Sequence, residues 1–131
     1  MTIDLVNVVV VNESSDPDKA GDVELFKNIA HAESYLEPID VLNEEYFAYF
    51  LDGSELRLLV VPERKLFTKI DCVRIEPVPA AQKNGDRVRL LLKHAAAAVQ
   101  VAQKHRKGIE PKLKPAQMPI AELVELIGFP K

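Results

Sequence analysis

Alternating apolar and polar residues in the first quarter of the chain predict a β-hairpin. The first run covers 3–11 and is rich in Val and Ile, which favour strands. The polar segment 12–21 predicts a loop, because its residue types favour turns over strand pairing. Val23, Leu25 and Phe26 then predict a second short strand that pairs with the first.

The same alternation predicts three more strands in the middle of the chain. Asp52-Gly53 is a strong hairpin signal between the first two, and Pro62 is expected to interrupt the second. In the third strand Val73 and Ile75 fall out of step with the apolar residues before them, which either a bulge or burial on both faces would explain. The predicted strands cover 44–51, 56–61 and 66–76.

Apolar residues at spacings of three and four predict three helices. The first begins after the N-cap Asn28 and ends before Pro38, whose ring disfavours helical angles at the residue before it. The second is the longest and ends at Gly108, and the third opens at Pro119. The predicted helices cover 28–37, 86–107 and 119–127.

The order of these elements predicts an α+β fold. Strands and helices follow one another as β-β-α-β-β-β-α-α, and the hairpin links favour an antiparallel sheet of about five strands with the long C-terminal-half helix packed on one face. A chain of 131 residues fits a single domain over 1–131. The proline-containing segment 109–118 is expected to be an extended connector to the short terminal helix.

Composition narrows the class of protein. Apolar residues make up 47% and charged residues 28%, which is typical of globular chains. A single cysteine excludes an intrachain disulfide. The longest apolar run near the start, Val8–Val11, is far too short to span a membrane, and no basic residue precedes it as in a secretory signal. We therefore expect a cytoplasmic protein without a membrane partner.

Charge is divided unevenly along the chain. Residues 1–60 carry a formal charge of −10 and residues 61–131 carry +7, against a total of −3. This asymmetry fits either an interaction surface or internal neutralisation of one half by the other. The acidic side chains concentrate at Glu33, Glu37, Asp40, Glu44 and Glu45, and one face of the long helix carries Arg89, Lys93, Lys104 and Lys107.

Most catalytic and cofactor-binding patterns are missing from the sequence. It contains neither glycine-rich phosphate loop nor a GxSxG motif. Cys72 lies in the middle of a predicted strand, where a buried thiol stays protonated and inert. His31 lies near Glu33 and Glu37 but points away from both on a helix, and the other two histidines lie three helical turns apart. We expect no metal, no cofactor and no enzymatic activity.

Aromatic residues alternate along the predicted strand 44–51. One set must face the core, and the other set lies either under a second helix or in an exposed patch. We favour the first alternative, because the terminal helix must also bury its apolar stripe. The residues are Tyr46, Phe47, Tyr49 and Phe50.

One segment resembles a pattern found in small bacterial proteins. The matching stretches are Glu24-Leu25-Phe26, Ala32-Glu33, Tyr35-Leu36-Glu37-Pro38-Ile39-Asp40-Val41, Glu45-Tyr46-Phe47-Ala48 and Asp52-Gly53. Some of those proteins are similar to immunity proteins, the cytoplasmic antidotes that bind and neutralise a cognate secreted toxin. The resemblance covers 24–53 and transfers no catalytic residue, and the chain departs from the pattern in its longer loop over 12–22 and its proline-rich tail.

These observations predict a non-catalytic protein-binding module, and the resemblance implies an immunity-like antidote. The five acidic residues are the hypothesised partner surface, because toxins that act on nucleic acids tend to be basic and opposite charge speeds capture. The alternative is a nucleic-acid or phospholigand binder that uses the basic face of helix 86–107. That helix has no interleaved aromatic residues and the chain has a pI near 5.6, which disfavours the alternative. A homodimer is compatible with the sequence and is not required by it.

Overall fold

Five strands pair in one antiparallel sheet in the computed structural model, which describes residues 4–65, 68–79, 83–108, 110 and 113–130. Along the sheet they lie in the order β2-β1-β3-β4-β5. The predicted α+β class and strand number are confirmed. The strands are β1 (Val9–Glu13), β2 (Asp22–Phe26), β3 (Tyr46–Phe50), β4 (Glu55–Lys65) and β5 (Thr68–Pro77).

Four α-helices and two short 3₁₀ turns complete the described chain. The Asn84 side chain caps the start of the long helix by accepting from the Arg87 N–H, and Gly108 ends it in the left-handed conformation. Part of the predicted connector 109–118 lies outside the described residues, at 109 and 111–112. The helices are α1 (Ile29–Tyr35), α2 (Pro38–Leu42), α3 (Gly85–Lys107) and α4 (Ile120–Ile127), and the 3₁₀ turns are Leu5–Asn7 and Pro115–Gln117.

One face of the sheet, called the α3 face, is covered by α3 and α4. Alternate residues of the strands point to this face and pack against the apolar stripes of both helices, as the sequence predicts. Ala96 is completely buried, which indicates that α3 lies close to the strands at this point. The buried residues include Val10, Leu25, Tyr49, Leu91, Leu92, Leu123 and Val124.

The opposite face, called the α1 face, is covered by α1 and α2. Tyr46, Ala48 and Phe50 point to it from β3, while Phe47 and Tyr49 point to the α3 face. The expectation that the aromatic strand is covered on both sides is therefore confirmed. The buried residues here are Val9, Val11, Phe26, Ala32, Leu36, Ala48, Leu56, Val73 and Ile75.

The sheet curls around α1. This helix contacts both β2 and β5, which are the two edge strands. Pairing between β3 and β4 is limited to Ala48 with Leu56 and Tyr49 with Glu55, so the rest of the β4–β5 hairpin is free to leave the plane of the other strands. The α1 face is consequently concave, and α1 and α2 fill it.

Two predicted boundaries are wrong. The strand predicted over 3–11 begins at Val9, because Leu5–Asn7 form a 3₁₀ turn in which the Val6 N–H donates to the Asp4 side chain. Pro62 does not interrupt β4, which continues to Lys65. The Ile75 N–H points away from β4, past the edge of the sheet, and donates to the Glu33 side chain. The Leu58–Ile75 pair therefore makes no ladder hydrogen bond. Pairs with and without ladder hydrogen bonds alternate along a hairpin, and Pro62–Asp71 lies four pairs from Leu58–Ile75, so it also makes none. The missing proline N–H therefore removes no ladder hydrogen bond.

In β5 the apolar residues shift from one face of the strand to the other, and this shift does not require a β-bulge. Residues of β4 and β5 pair one to one from Leu56 with Pro77 to Lys65 with Thr68. Val73 and Ile75 point to the α1 face and are buried, whereas Ile70 lies beyond the covered part of the hairpin and is exposed. Leu66, which the sequence pattern also assigned to this strand, lies outside the described residues.

Candidate functional site

The segment around α2 exposes apolar and acidic side chains together. Proline at the first helical position favours a new helix start, and the extended Glu37 before it separates α2 from α1. The helix has only five residues, so much of its surface stays uncovered. Ile39 and Leu42, one helical turn apart, are 63% and 66% exposed.

Carboxylates from three elements surround the half-buried Tyr46. Its hydroxyl donates to the Asp40 carboxylate across 3.1 Å. Burial raises the pKa of the Tyr46 hydroxyl, and the hydrogen bond and the negative charges of Asp40, Glu13 and Glu37 raise it further. A hydrogen bond with Asp40 also raises the pKa of the Glu45 carboxyl, followed by partial desolvation and the charges of Asp40 and Glu13. The group thus joins Glu13 of β1 to α2 and the start of β3.

The negative charge continues across the sheet to its edge. Strand register places Glu13 beside Tyr46 on one side and beside Asp22 of β2 on the other. Glu24 follows on the same face of β2, where burial and the charges of Glu13 and Asp22 raise its pKa. Its Oε2 atom is buried and has no hydrogen-bond donor among the described residues. A cavity of about 40 Å³ lies between these side chains, Tyr35 and Tyr46.

We call this surface the acidic face. None of its carboxylates has a basic side chain within ion-pair distance in the described part of the chain. Among the described residues, no ion pair neutralises these carboxylates internally, which was one of the two explanations for the charge asymmetry. The acidic face consists of Glu13, Asp22, Glu24, Glu37, Asp40 and Glu45.

The structure divides the acidic residues singled out in the sequence. Glu37, Asp40 and Glu45 lie together on the acidic face. Glu33 points away, because its carboxylate accepts the outward N–H of Ile75 on the edge strand β5 across 2.8 Å. Glu44 is exposed in a left-handed turn and lines a separate cleft of about 480 Å³ where β3 and β4 diverge.

Three residues of the acidic face were missed by reasoning from the sequence. Glu13, Asp22 and Glu24 lie far from α2 along the chain and come close to it only through strand pairing. The available signal was Glu24, which alternates with the apolar Val23 and Leu25 of the predicted second strand, whereas Glu13 was assigned to the loop 12–21. Without the register, that alternation could not be connected to Asp40 or Glu45.

The basic residues of α3 are partly engaged within the protein. Arg89 donates to the Met118 carbonyl across 3.0 Å and fastens the turn before α4. Lys104 forms an ion pair with Glu110 at 3.3 Å. Lys93 and Lys107 have no acidic neighbour among the described residues. Of the four basic residues predicted as the alternative nucleic-acid or phospholigand surface, Lys93 and Lys107 are therefore the two available to an anionic ligand in the described chain.

Cys72 and His31 have local partners. The Cys72 thiol is half-buried and lies 3.0 Å from a carboxylate oxygen of Glu63. His31 accepts the Lys27 N–H on its ring nitrogen and packs edge-on against Phe26. Within the described residues, no three His, Cys, Asp or Glu side chains are arranged to hold a metal ion.

Comparisons with protein-family models, with curated proteins and with solved structures found no match to this chain. Among the described helices, none combines the length and the apolar character needed to cross a bilayer.

Proposed function

We propose that this protein is a non-catalytic binding protein that docks a basic protein partner on its acidic face. The observation that supports this most directly is the lack of any basic neighbour for six clustered carboxylates in the described chain. Desolvation and the charges of Glu13 and Asp22 raise the pKa of Glu24. A hydrogen bond with Asp40, desolvation and the charges of Asp40 and Glu13 raise the pKa of Glu45. Cationic side chains from a partner would offset the repulsion among these carboxylates and would accelerate association.

Exposed apolar residues beside the charges supply a source of binding energy. Ile39 and Leu42 project from α2 next to Glu37 and Asp40. Apolar side chains buried at the centre of an interface contribute most of the affinity, whereas surrounding charges set the rate and the specificity. The α2 surface has both parts of this arrangement.

The resemblance to immunity proteins suggests the kind of partner. An antidote for a toxin that acts on nucleic acid would face a basic surface, and the acidic face has the complementary charge. Most of the acidic face falls within or beside the resembling segment 24–53. We accordingly place this protein in the cytoplasm, where a single cysteine stays reduced.

The test is affinity capture with matched charge variants. The acidic-face variant carries Glu37→Gln, Asp40→Asn and Glu45→Gln. Its control carries Asp71→Asn, Glu122→Gln and Glu125→Gln, three exposed carboxylates elsewhere whose loss changes the net charge equally. Each protein is immobilised and exposed to extract from its source organism at about 50 mM salt, where surface charge is weakly screened.

We expect mass spectrometry to identify a basic protein that the wild type and the control variant retain and the acidic-face variant loses. Purified partner should then bind the wild type at least 10-fold more tightly than the acidic-face variant. Ile39→Ser with Leu42→Ser should weaken binding without changing its salt dependence. An unchanged set of retained proteins in the acidic-face variant, or an empty eluate from the wild type, would contradict the proposal.

A further inference from the structure

Strand β2 has an open outer edge. It pairs with β1 on one side and is the first strand of the sheet. Among the described residues, no hydrogen bond connects the outer backbone groups of Asp22–Phe26 to another element. An edge with free N–H and C=O groups is a template for the addition of another strand.

A groove runs along this edge on the α3 face. It has a volume of about 470 Å³ and lies between β2, α3 and the C-terminal residues. Val23 and Leu25 point to this side from β2, and the small side chains of Ala95 and Ala98 leave space above it. Tyr35 and His94 also line the groove, and side chains that an added strand directs toward Ala95 and Ala98 would contact apolar atoms there.

The other side of the same edge is acidic. Alternate residues of a strand point to opposite faces, so Asp22 and Glu24 lie on the α1 face while Val23 and Leu25 lie on the α3 face. The buried Glu24 oxygen without a donor lies next to this edge. An added strand would place alternate side chains beside these carboxylates, where Lys or Arg would be stabilised.

The charges on β2 also disfavour a second copy of this chain as the added strand. Pairing β2 with the β2 of another copy would bring two sets of Asp22 and Glu24 together on one face. Like charges on neighbouring strands are destabilising, and charged edge residues are a common means of preventing self-association. The edge is therefore suited to a basic segment and unsuited to self-pairing.

We infer that an extended segment of a basic protein, with Lys or Arg alternating with apolar residues, adds to β2 as a sixth strand. The inference rests on the proposed function and specifies how the partner binds. Apolar side chains of the segment fill the groove against Ala98, and its cationic side chains approach Asp22 and Glu24. Backbone hydrogen bonds to β2 fix the register.

The test uses synthetic peptides that separate backbone pairing from charge. The probe is a capped octapeptide of four Lys-Val repeats, and a block peptide of four Lys followed by four Val has the same composition. Two further versions are N-methylated, one on every Val amide and the other on every Lys amide. In an added strand only one of these sets faces β2, so only one methylated peptide loses its backbone hydrogen bonds.

Binding of fluorescently labelled peptides is measured by anisotropy at about 50 mM salt. We expect the alternating peptide to bind at least 10-fold more tightly than the block peptide, and the two methylated peptides to differ at least 10-fold from each other. Asp22→Asn with Glu24→Gln should weaken binding of the alternating peptide. Ala98→Phe should fill the groove and weaken it too, whereas Ala97→Phe, on α3 outside the groove, should not.

The outcomes separate this inference from the proposed function. If all four peptides bind equally and all lose affinity in the acidic-face variant, strand addition is overturned and the basic-partner proposal stands. If none of the basic peptides binds, strand addition is overturned, and the affinity capture decides the basic-partner proposal separately. Circular dichroism of each variant confirms that it retains the fold in which these affinities are compared.

Discussion

Glu24 is held in an unfavourable environment by residues of its own hairpin. Its carboxyl is partly desolvated, lies near Glu13 and Asp22, and has one buried oxygen without a donor among the described residues. These effects raise its pKa above the usual 4.5. The folded state therefore binds the Glu24 proton more tightly than the unfolded state does, and this residue lowers stability progressively as the pH rises above about 4.5.

We expect Glu24→Gln to raise the free energy of unfolding at pH 7 by about 1 kcal/mol, because the neutral amide removes a partly desolvated charge that lies near Glu13 and Asp22. The gain should shrink as the pH falls and vanish near pH 4, where both states hold the proton. Urea unfolding at pH 4, 5.5 and 7 measures it. Glu125→Gln, an exposed change on α4, should give no pH-dependent difference, and an equal gain at all three pH values would refute the electrostatic explanation.

Glu33 and Glu37 look equivalent in the sequence and have different roles in the structure. Glu33 supplies the acceptor for the Ile75 N–H, whereas Glu37 is exposed and makes no capping hydrogen bond. We expect Glu33→Ala to destabilise the fold by about 1–2 kcal/mol, because a donor on the edge of β5 loses its acceptor. Glu37→Ala should change stability by less than about 0.5 kcal/mol and should instead weaken partner binding.

The measurement is the difference in urea midpoint between each variant and the wild type. Equal losses of stability in the two variants would show that Glu33 does not protect the edge of β5. A loss of partner binding on Glu33→Ala, with the fold intact, would place Glu33 on the binding surface as the sequence predicted.

At the level of elements, the β3–β4 turn is joined to the start of α3. Gly53 adopts a φ of +91°, and its carbonyl accepts the Asn84 N–H across 3.0 Å. A Cβ at this position would lie 2.3 Å from the Asn84 carbonyl carbon. Gly108 also has a positive φ, of +65°, but a Cβ there would meet open space.

We therefore expect Gly53→Ala to destabilise the protein by about 3 kcal/mol, combining left-handed strain with a steric clash against backbone. Gly108→Ala should cost only about 1 kcal/mol, the strain alone. Thermal unfolding of the two variants compares them directly. Equal losses would mean that the turn moves away from α3 at little cost.

Local patterns predicted most elements, and the errors arise where tertiary pairing decides. The periodicity of α3 and its stop at Gly108 are properties of neighbouring residues, and the structure confirms both. Pro62 ends a strand by local rules, but its position in a pair without ladder hydrogen bonds removes the cost. Pro38 does end α1, and it also opens α2, which the sequence did not predict.

The candidate surface was predicted only in part for the same reason. Glu37, Asp40 and Glu45 lie within nine residues of one another and could be grouped from the sequence. Glu13 and Glu24 join them through the β1–β2 and β1–β3 registers, which a hydrophobic pattern does not specify between distant strands. A carboxylate group built by sheet register requires the structure to be recognised.

At the scale of the whole molecule, the acidic face and the basic residues of α3 lie in different layers of the described chain. The acidic face lies on the α1 side of the sheet, and the basic residues of α3 lie on the opposite layer. The arrangement gives the protein an electrostatic direction that its small net charge of −3 does not reveal. A basic partner would be attracted to the layer that carries Ile39 and Leu42, and repelled from the other.

This direction predicts how salt acts on association. For the alternating Lys-Val peptide we expect the association rate constant to fall about 10-fold or more between about 50 and 500 mM salt, because screening shortens the range of attraction. The dissociation rate constant should change much less, since contacts made at close range are less screened. Stopped-flow mixing measures both constants. The acidic-face variant should associate slowly at low salt and show little salt dependence.

Removing charge from the opposite layer provides the contrasting case. Lys93→Gln with Lys107→Gln changes the formal net charge from −3 to −5 and leaves the acidic face intact. If the acidic face directs the encounter, this variant associates with the peptide as fast as the wild type or slightly faster, because a distant repulsion is gone. If the variant instead loses the ability to associate, binding occurs through α3, and the layer that we assign to the partner is the wrong one.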